Sequence, residues 1–202
     1  MGRGRPRKTD PEAALDTSMA MFWEKGFEGT SMNDLAVATG MAKPGLYANF
    51  GDKESLYKKA LTRYVKELGG PLLDDLTLST DPLDVVIRRY LETVAASNLD
   101  ETCPGGCFFV NSVIDCAHGP ASLEKLTREF EASRRAAFVE RFRASKNKGE
   151  LPDDADPEAL GEFFAGQVLA LAVMALAGAD RESLDRFIDV AMTVLPGNRT
   201  SA

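Results

Sequence analysis

Apolar residues recur every three to four positions in one segment after another along this chain, the period of helices buried on one side. Pro11 to Lys25 puts Leu15, Met19, Phe22 and Trp23 on one side, and Gly26 stops it. Ser31 with Asp34 has the pattern of a capping box, and Leu35, Ala36 and Val37 give the next short helix its buried side. Gly40 can take positive φ and close a turn. Ala42 caps poorly, but Pro44 suits a first helical turn. A third helix is therefore predicted from about Lys43 to Asn49, with Phe50 entering the core. Asp52 is a good N-cap for a longer helix from Lys53 to Leu68, which Gly69-Gly70-Pro71 should stop.

Beyond this the helical period continues. Asp81 should cap a helix from Pro82 to about Asn98. Pro104 to Ala117 reads as a short apolar helix, and Ser122 to Lys146 as a long one. Asp156-Pro157 opens a nearly all-apolar helix to Ala177. The last helix, Ser183 to Leu195, carries Leu184, Phe187, Ile188, Ala191 and Leu195 on one face. No strand signal and no internal repeat accompanies them. The expected fold class is all-α.

Two short helices joined by a tight turn form a helix-turn-helix, which places its second helix in the major groove of DNA. Upstream lies a basic arm, Arg3-Gly4-Arg5-Pro6-Arg7-Lys8. Arg3, Arg5 and Arg7 resemble an AT-hook core, whose arginines enter a narrow minor groove; the plain alternative is a solvated tail. The net charge of −7 argues against nucleic acid only until it is divided. Residues 1–70 hold 11 basic and 9 acidic side chains, and the rest hold 13 and 22. An acidic body with a basic end suits a protein that touches DNA at that end only. Few side chains of a short recognition helix can reach bases. Lys43 is the best candidate for a guanine edge or a phosphate. Pro44 and Gly45 permit close approach. Tyr47, Lys53, Asn49 and the hydroxyl of Thr30 are candidate phosphate contacts; for Tyr47 the alternative is a partly buried core aromatic.

The stretch resembles the TetR (tetracycline-repressor) family of bacterial transcription regulators. The resemblance rests on Phe27, Thr30-Ser31, Leu35-Ala36, Thr39-Gly40, Leu46-Tyr47, Phe50, Lys53 and Leu56 at their spacing. It departs at Ala42, where the family usually has Ser, and at Ala48-Asn49. Gly106-Cys107 ahead of an apolar helix is similar to one subgroup. With the basic arm over 1–9 ahead of it, the resemblance implies a helix-turn-helix domain over 10–52 and a helical effector-binding and dimerisation domain over 53–196, which leaves a tail over 197–202. It implies a homodimer, with the last two long helices of each chain in a four-helix interface. It also implies a near-palindromic operator in double-stranded DNA and a small-molecule effector between the middle helices, whose binding releases the repressor.

The remaining chemistry is sparse. Cys103-Pro104-Gly105-Gly106-Cys107, Cys116 and His118 suggest a metal site, but in one helix Cys107 and Cys116 would lie ~13 Å apart, so no metal and no cofactor is expected. Three cysteines give no disulfide framework. Cys103 and Cys107 at a helix start are candidates for redox or electrophile sensing; the plain alternative is buried free thiols. A lone His118 and the absence of phosphate-cradling or nucleophile motifs argue against an enzyme, with a Cys107–His118 thiol enzyme as the rival. The basic start is followed by no apolar run, so no signal peptide is expected. Phe163 to Ala177, interrupted by Gln167, is shorter than the ~20 residues a bilayer requires. A cytoplasmic protein without a membrane partner is expected.

An effector pocket is predicted around the face formed by Cys107, Asn111 and Ile114 at i, i+4 and i+7. Tyr90 and Val94 from the preceding helix, with Phe130, Phe163 and Gln167 from later ones, would complete it. Such a lining favours a small, mainly apolar, aromatic or carbonyl-bearing effector. The alternative for Asn111 is a satisfied core or interface residue.

Overall fold

A computed structural model describes residues 10–195, apart from the side chain of His118. The arm bearing Arg3, Arg5 and Arg7 lies outside the described residues. Among the described residues all regular structure is helical: α1 Pro11–Lys25, α2 Met32–Thr39, α3 Lys43–Phe50, α4 Lys53–Tyr64, α5 Gly70–Leu78, α6 Leu83–Asn98, α7 Phe108–Asp115, α8 Ala121–Asn147, α9 Pro157–Leu176 and α10 Arg181–Met192.

Local chemistry sets most boundaries. The Asp10, Asp52, Asp156 and Asp180 carboxylates accept from first-turn backbone N–H groups of α1, α4, α9 and α10. These are the groups a helix start leaves unpaired. Three expected boundaries are corrected. Gly69-Gly70-Pro71 does not stop the chain. A π-turn over Val65–Gly69 carries α4 into α5, and both glycines keep right-handed helical angles. The wider turn accommodates the N–H that Pro71 lacks. Asp81 does not cap α6. It pairs with Arg89, and the Glu150 carboxylate accepts from Leu83 N at 2.9 Å instead. Finally, Cys103–Gly106 is a loop and not a helical turn, because Gly105 and Gly106 take φ of 105° and 63°. Thus α7 begins only at Phe108.

Two cores result. One joins Leu76, Ile87, Phe138, Phe142, Phe164, Leu171, Leu184 and Ile188, all but closed to solvent. Phe142 stacks on Phe164 with centroids 5.5 Å apart. The other joins Phe22, Leu35, Leu46, Leu56, Tyr57 and Leu61 to Phe108 of α7 and Leu123 of α8. The head formed by α1–α4 is therefore packed against the body through α4 and α7.

Leu184, Ile188 and Leu195 are corrected as dimer residues. They are 0%, 1% and 3% exposed within one chain, and burying each stabilises the monomer by ~1.5–3 kcal/mol. The exposed apolar side chains at that end are Val173 and Leu176 of α9 with Val190 of α10 and Val194 just after it. At 20 residues, α9 has the bounds expected of it to within one residue. By length and composition alone it could cross a membrane, with only a third of its apolar window buried in the chain.

Candidate nucleic-acid interface and effector cavity

In the head, the capping box forms as the sequence requires. Asp34 N donates to Ser31 Oγ at 3.2 Å, and Ser31 N donates to Asp34 Oδ2 at 3.0 Å. The hydrogen bonds from Ser31 hold the Asp34 carboxyl below its usual range. Gly40, at φ 65° and ψ 9°, makes the left-handed turn between α2 and α3. The start of α3 has no side-chain cap, as Ala42 implies. Leu46 and Phe50 face the core; Pro44, Tyr47, Ala48 and Asn49 face solvent, and Lys43 is half-buried. Gly45 sits close to Met41, whose Cγ would lie 3.0 Å from a Cβ added there. The outer side of α3 is thus compact around Lys43, Pro44, Gly45 and Tyr47.

The other expected contacts are committed within the chain. Thr30 is buried, and its hydroxyl donates to Gly26 O at 2.8 Å, so it closes the turn before α2. Lys53 Nζ donates to Phe27 O at 2.9 Å and lies 4.0 Å from the Phe27 ring centroid, which ties the start of α4 to the end of α1. Asn49 donates to Gly45 O at 2.7 Å.

Behind the head lies a cavity of about 690 Å³. Its wall comes from α1, α4, the π-turn, α5, α6, the Cys103–Cys107 loop, α7, α8 and α9. Of the expected effector residues, Tyr90, Val94, Cys107 and Phe130 line it. Four do not. Asn111 donates toward Gly105 O at 3.4 Å, Ile114 is 57% exposed, Phe163 packs edge-on against Phe164, and Gln167 donates to Phe163 O at 3.1 Å. For Asn111 and Ile114 the physical reason is the late start of α7, and Phe163 and Gln167 are held by contacts of α9 with itself. With Cys107 as its N-cap, Phe109 and Val110 face the cavity instead.

The sequence reading missed Trp23, Tyr64 and Arg134 in the wall. For Trp23 a signal existed, since a buried indole N–H requires an acceptor. That acceptor is Gly105 O, 3.0 Å away in the cysteine loop. Tyr64 meets the Trp23 ring edge-on at 5.0 Å and donates its hydroxyl to Cys107 Sγ at 3.3 Å. Burial pushes the Tyr64 hydroxyl pKa up, as it does for Tyr57. Tyr57 donates to Ser112 Oγ at 2.7 Å, across the junction of head and body. Arg134 lies over the Phe109 ring at 5.6 Å and pairs with Glu131. Cys116 is buried away from this wall, and burial pushes its thiol pKa up. Among the described residues no cluster of His, Cys, Asp and Glu is arranged to hold a metal.

The sequence model described as bacterial regulatory proteins of the tetR family matches residues 14–60. That of the tetracyclin repressor-like C-terminal domain matches residues 83–191, more than half of the chain. The chain belongs to the TetR family. This TetR-family protein is similar to the HTH-type transcriptional repressor ComR of Escherichia coli (strain K12), at 29% identity over 96% of this chain and 90% of that protein. It is also similar to the uncharacterized HTH-type transcriptional regulator YezE of Bacillus subtilis (strain 168), at 29% identity over 95% and 99%. A cysteine-substituted variant of the TetR family regulator CifR, complexed with 26-bp double-strand operator DNA, superimposes with a TM-score of 0.85. It shares 30% identity, covering 96% of this chain and all of that one. A DNA-binding transcriptional regulator with an N-terminal helix-turn-helix and a C-terminal helical domain is the function and architecture of this chain.

Proposed function

We propose that this protein is a cytoplasmic repressor, not an enzyme, that binds a near-palindromic operator as a homodimer and leaves it when a mainly apolar effector fills the cavity. The observation that carries this reading is the position of Trp23. It belongs to α1 of the DNA head, yet it stands in the cavity wall and is hydrogen-bonded to the cysteine loop. An occupant therefore touches the head directly, and a small movement there changes the spacing of the two recognition helices. In a two-fold dimer these should lie ~34 Å apart. The exposed apolar stripe of α9 and α10 is covered by the second copy in this reading, which leaves no role for a membrane. The operator is found by selecting bound fragments from a genomic pool.

On that operator, Lys43→Ala and Tyr47→Ala should each weaken binding about tenfold, within the ~1–3 kcal/mol of a base-reading contact, with unchanged thermal stability. Deleting residues 1–8 should weaken binding and flatten its salt dependence, because fewer counterions are released. Titrations at several salt concentrations that show no change in all three variants would remove the proposed DNA contacts.

The cavity is tested by filling it. Ala172, 2% exposed, lines the wall on α9. An apolar small-molecule library should yield compounds that release operator from the parent protein. Ala172→Trp should be insensitive to them while still folding and dimerising. A filled variant that responds as the parent does places the effector elsewhere.

Sensing by thiol chemistry is the second reading, favoured by Cys107 Sγ and Cys103 in the same wall. It predicts that Cys103→Ser and Cys107→Ser abolish release, whereas a reversible ligand leaves both variants responsive.

A further inference from the structure

The charges around the cavity narrow what it can hold. Each charged side chain of the wall already has a partner. Arg63 Nε pairs with Glu67 at 3.0 Å. Arg89 grips Asp75 with two hydrogen bonds of 2.9 and 2.8 Å and reaches Asp81 at 2.8 Å. Arg134 is bound to Glu131. Asp100 accepts from Thr102 N and Oγ1 at 2.9 and 2.7 Å. An anionic ligand would have to share Arg134 with the Glu131 carboxylate inside a mostly apolar wall, and a cationic one would have to take Glu67 or Asp75 from its arginine or share Asp100 with Thr102. The first meets a like charge, the second disturbs formed pairs, and both lose hydration of the ligand charge as well.

The polar atoms without a partner are of another kind. Tyr90 is 3% exposed. Its ring packs edge-on against Phe138 at 5.0 Å, and among the described residues its hydroxyl has no hydrogen-bond partner. Burial pushes its pKa up to about 12, so the hydroxyl keeps its proton and remains a donor at neutral pH. Arg134 Nε, nearby, is a second unpartnered donor, and among the described residues Asn98 Oδ1 is the one unpartnered acceptor of the fully buried side-chain atoms in the wall. The hydroxyls of Thr93 and Ser97, by contrast, are spent on backbone carbonyls of their own helix. A buried donor without an acceptor costs free energy that a ligand oxygen can recover.

Building on the reading of this cavity as the effector site, we infer that its ligand is an uncharged, largely apolar molecule bearing a carbonyl group, seated with the carbonyl oxygen on the Tyr90 hydroxyl. The apolar body lies along Phe109, Phe130 and Val168.

Trp23 is the only tryptophan of the chain and stands in this wall, so its emission reports occupancy. The probes are methyl 4-phenylbutanoate, 4-phenylbutanoate and pentylbenzene, which keep one body and change the head. At pH 7 the ester should bind about tenfold or more tighter than the acid, and several-fold tighter than the hydrocarbon. Tyr90→Phe should remove the ester's advantage over pentylbenzene while leaving pentylbenzene affinity and thermal stability unchanged, because the hydroxyl has no partner to lose. An acid that binds as well as the ester overturns the inference, and so does a Tyr90→Phe variant that weakens ester and hydrocarbon equally. If no probe binds but library compounds still release operator and Ala172→Trp blocks them, the ligand class is wrong and the cavity reading stands. If no probe binds and Ala172→Trp responds like the parent, both fall.

Discussion

A Val173→Arg, Val190→Arg double variant should stay folded yet sediment as a monomer, with operator affinity lowered about 100-fold or more, the range lost when two linked binding events become one. The two side chains are 47% and 69% exposed within one chain. Surface substitutions of this kind usually change monomer stability by no more than ~0.5 kcal/mol. In the two-fold assembly proposed above, the same positions would meet their copies. Along α9, Gly166, Val173 and Leu176 are exposed at spacings of seven and three, a stripe for one neighbouring helix. Val190 and Val194 extend it beside α9. A two-fold axis makes such a stripe self-complementary, and an arginine on it is buried twice, each time without a counter-charge. The contrast variant is Ile188→Arg, 1% exposed in the monomer core, which should lose its cooperative melting transition altogether. A double variant that remains dimeric with parental affinity would place the interface elsewhere.

How far the chain could be read beforehand depended on the range of the interactions involved. The head was legible almost to the residue. Its signals are local: Ser31 with Asp34, Gly40 in the turn, Asp52 before α4. Each acts over three or four positions, and the matching hydrogen bonds all form. The hydrogen bonds of Thr30 and Lys53 within the chain were not legible, because their partners, Gly26 O and Phe27 O, are backbone atoms that no side-chain pattern announces. The π-turn was missed for a related reason. Two glycines and a proline ordinarily end a helix, but a widened turn absorbs them when packing on either side is retained. Half of the cavity was legible. Tyr90, Val94 and Phe130 follow from the apolar faces of α6 and α8. The phase of α7 did not follow, because the left-handed Gly105 and Gly106 shift its start to Phe108. Trp23 comes to the cavity from 82 residues away in sequence, a long-range pairing that periodicity cannot reveal. Leu184 and Ile188 show the same limit, since one apolar face looks alike whether a neighbouring helix or a second copy covers it.

Adding one methyl group at Gly161 should lower the melting temperature, whereas the same change at Gly69 should not. Both glycines are helical, and an alanine in a helix interior is ordinarily favoured by ~1 kcal/mol. At Gly69, which is also helical and is not followed by a proline, a Cβ would meet only Val65 Cγ1 at 3.9 Å, an ordinary contact, so Gly69→Ala should be neutral or stabilising. At Gly161 a Cβ would lie 2.6 Å from Val139 Cα and 2.8 Å from Val139 N and Cγ2. Two of these atoms are backbone of α8 and cannot turn aside, so the helices must separate. Overpacking of this kind costs ~1–3 kcal/mol. Set against the propensity gain, it leaves a net loss of up to ~2 kcal/mol, or up to ~8 °C for a chain of this size. Gly161→Val adds two more carbons to the same contact and should fall further, measured by thermal melting at fixed protein concentration. The close approach also has a functional consequence. Arg134 and Phe130 face the cavity from α8, and Val168 and Ala172 face it from α9. A wider α8–α9 spacing should therefore loosen effector binding in Gly161→Ala even at temperatures where the fold is intact. A stabilised Gly161→Ala variant with parental effector response would mean that the two helices are not in this contact.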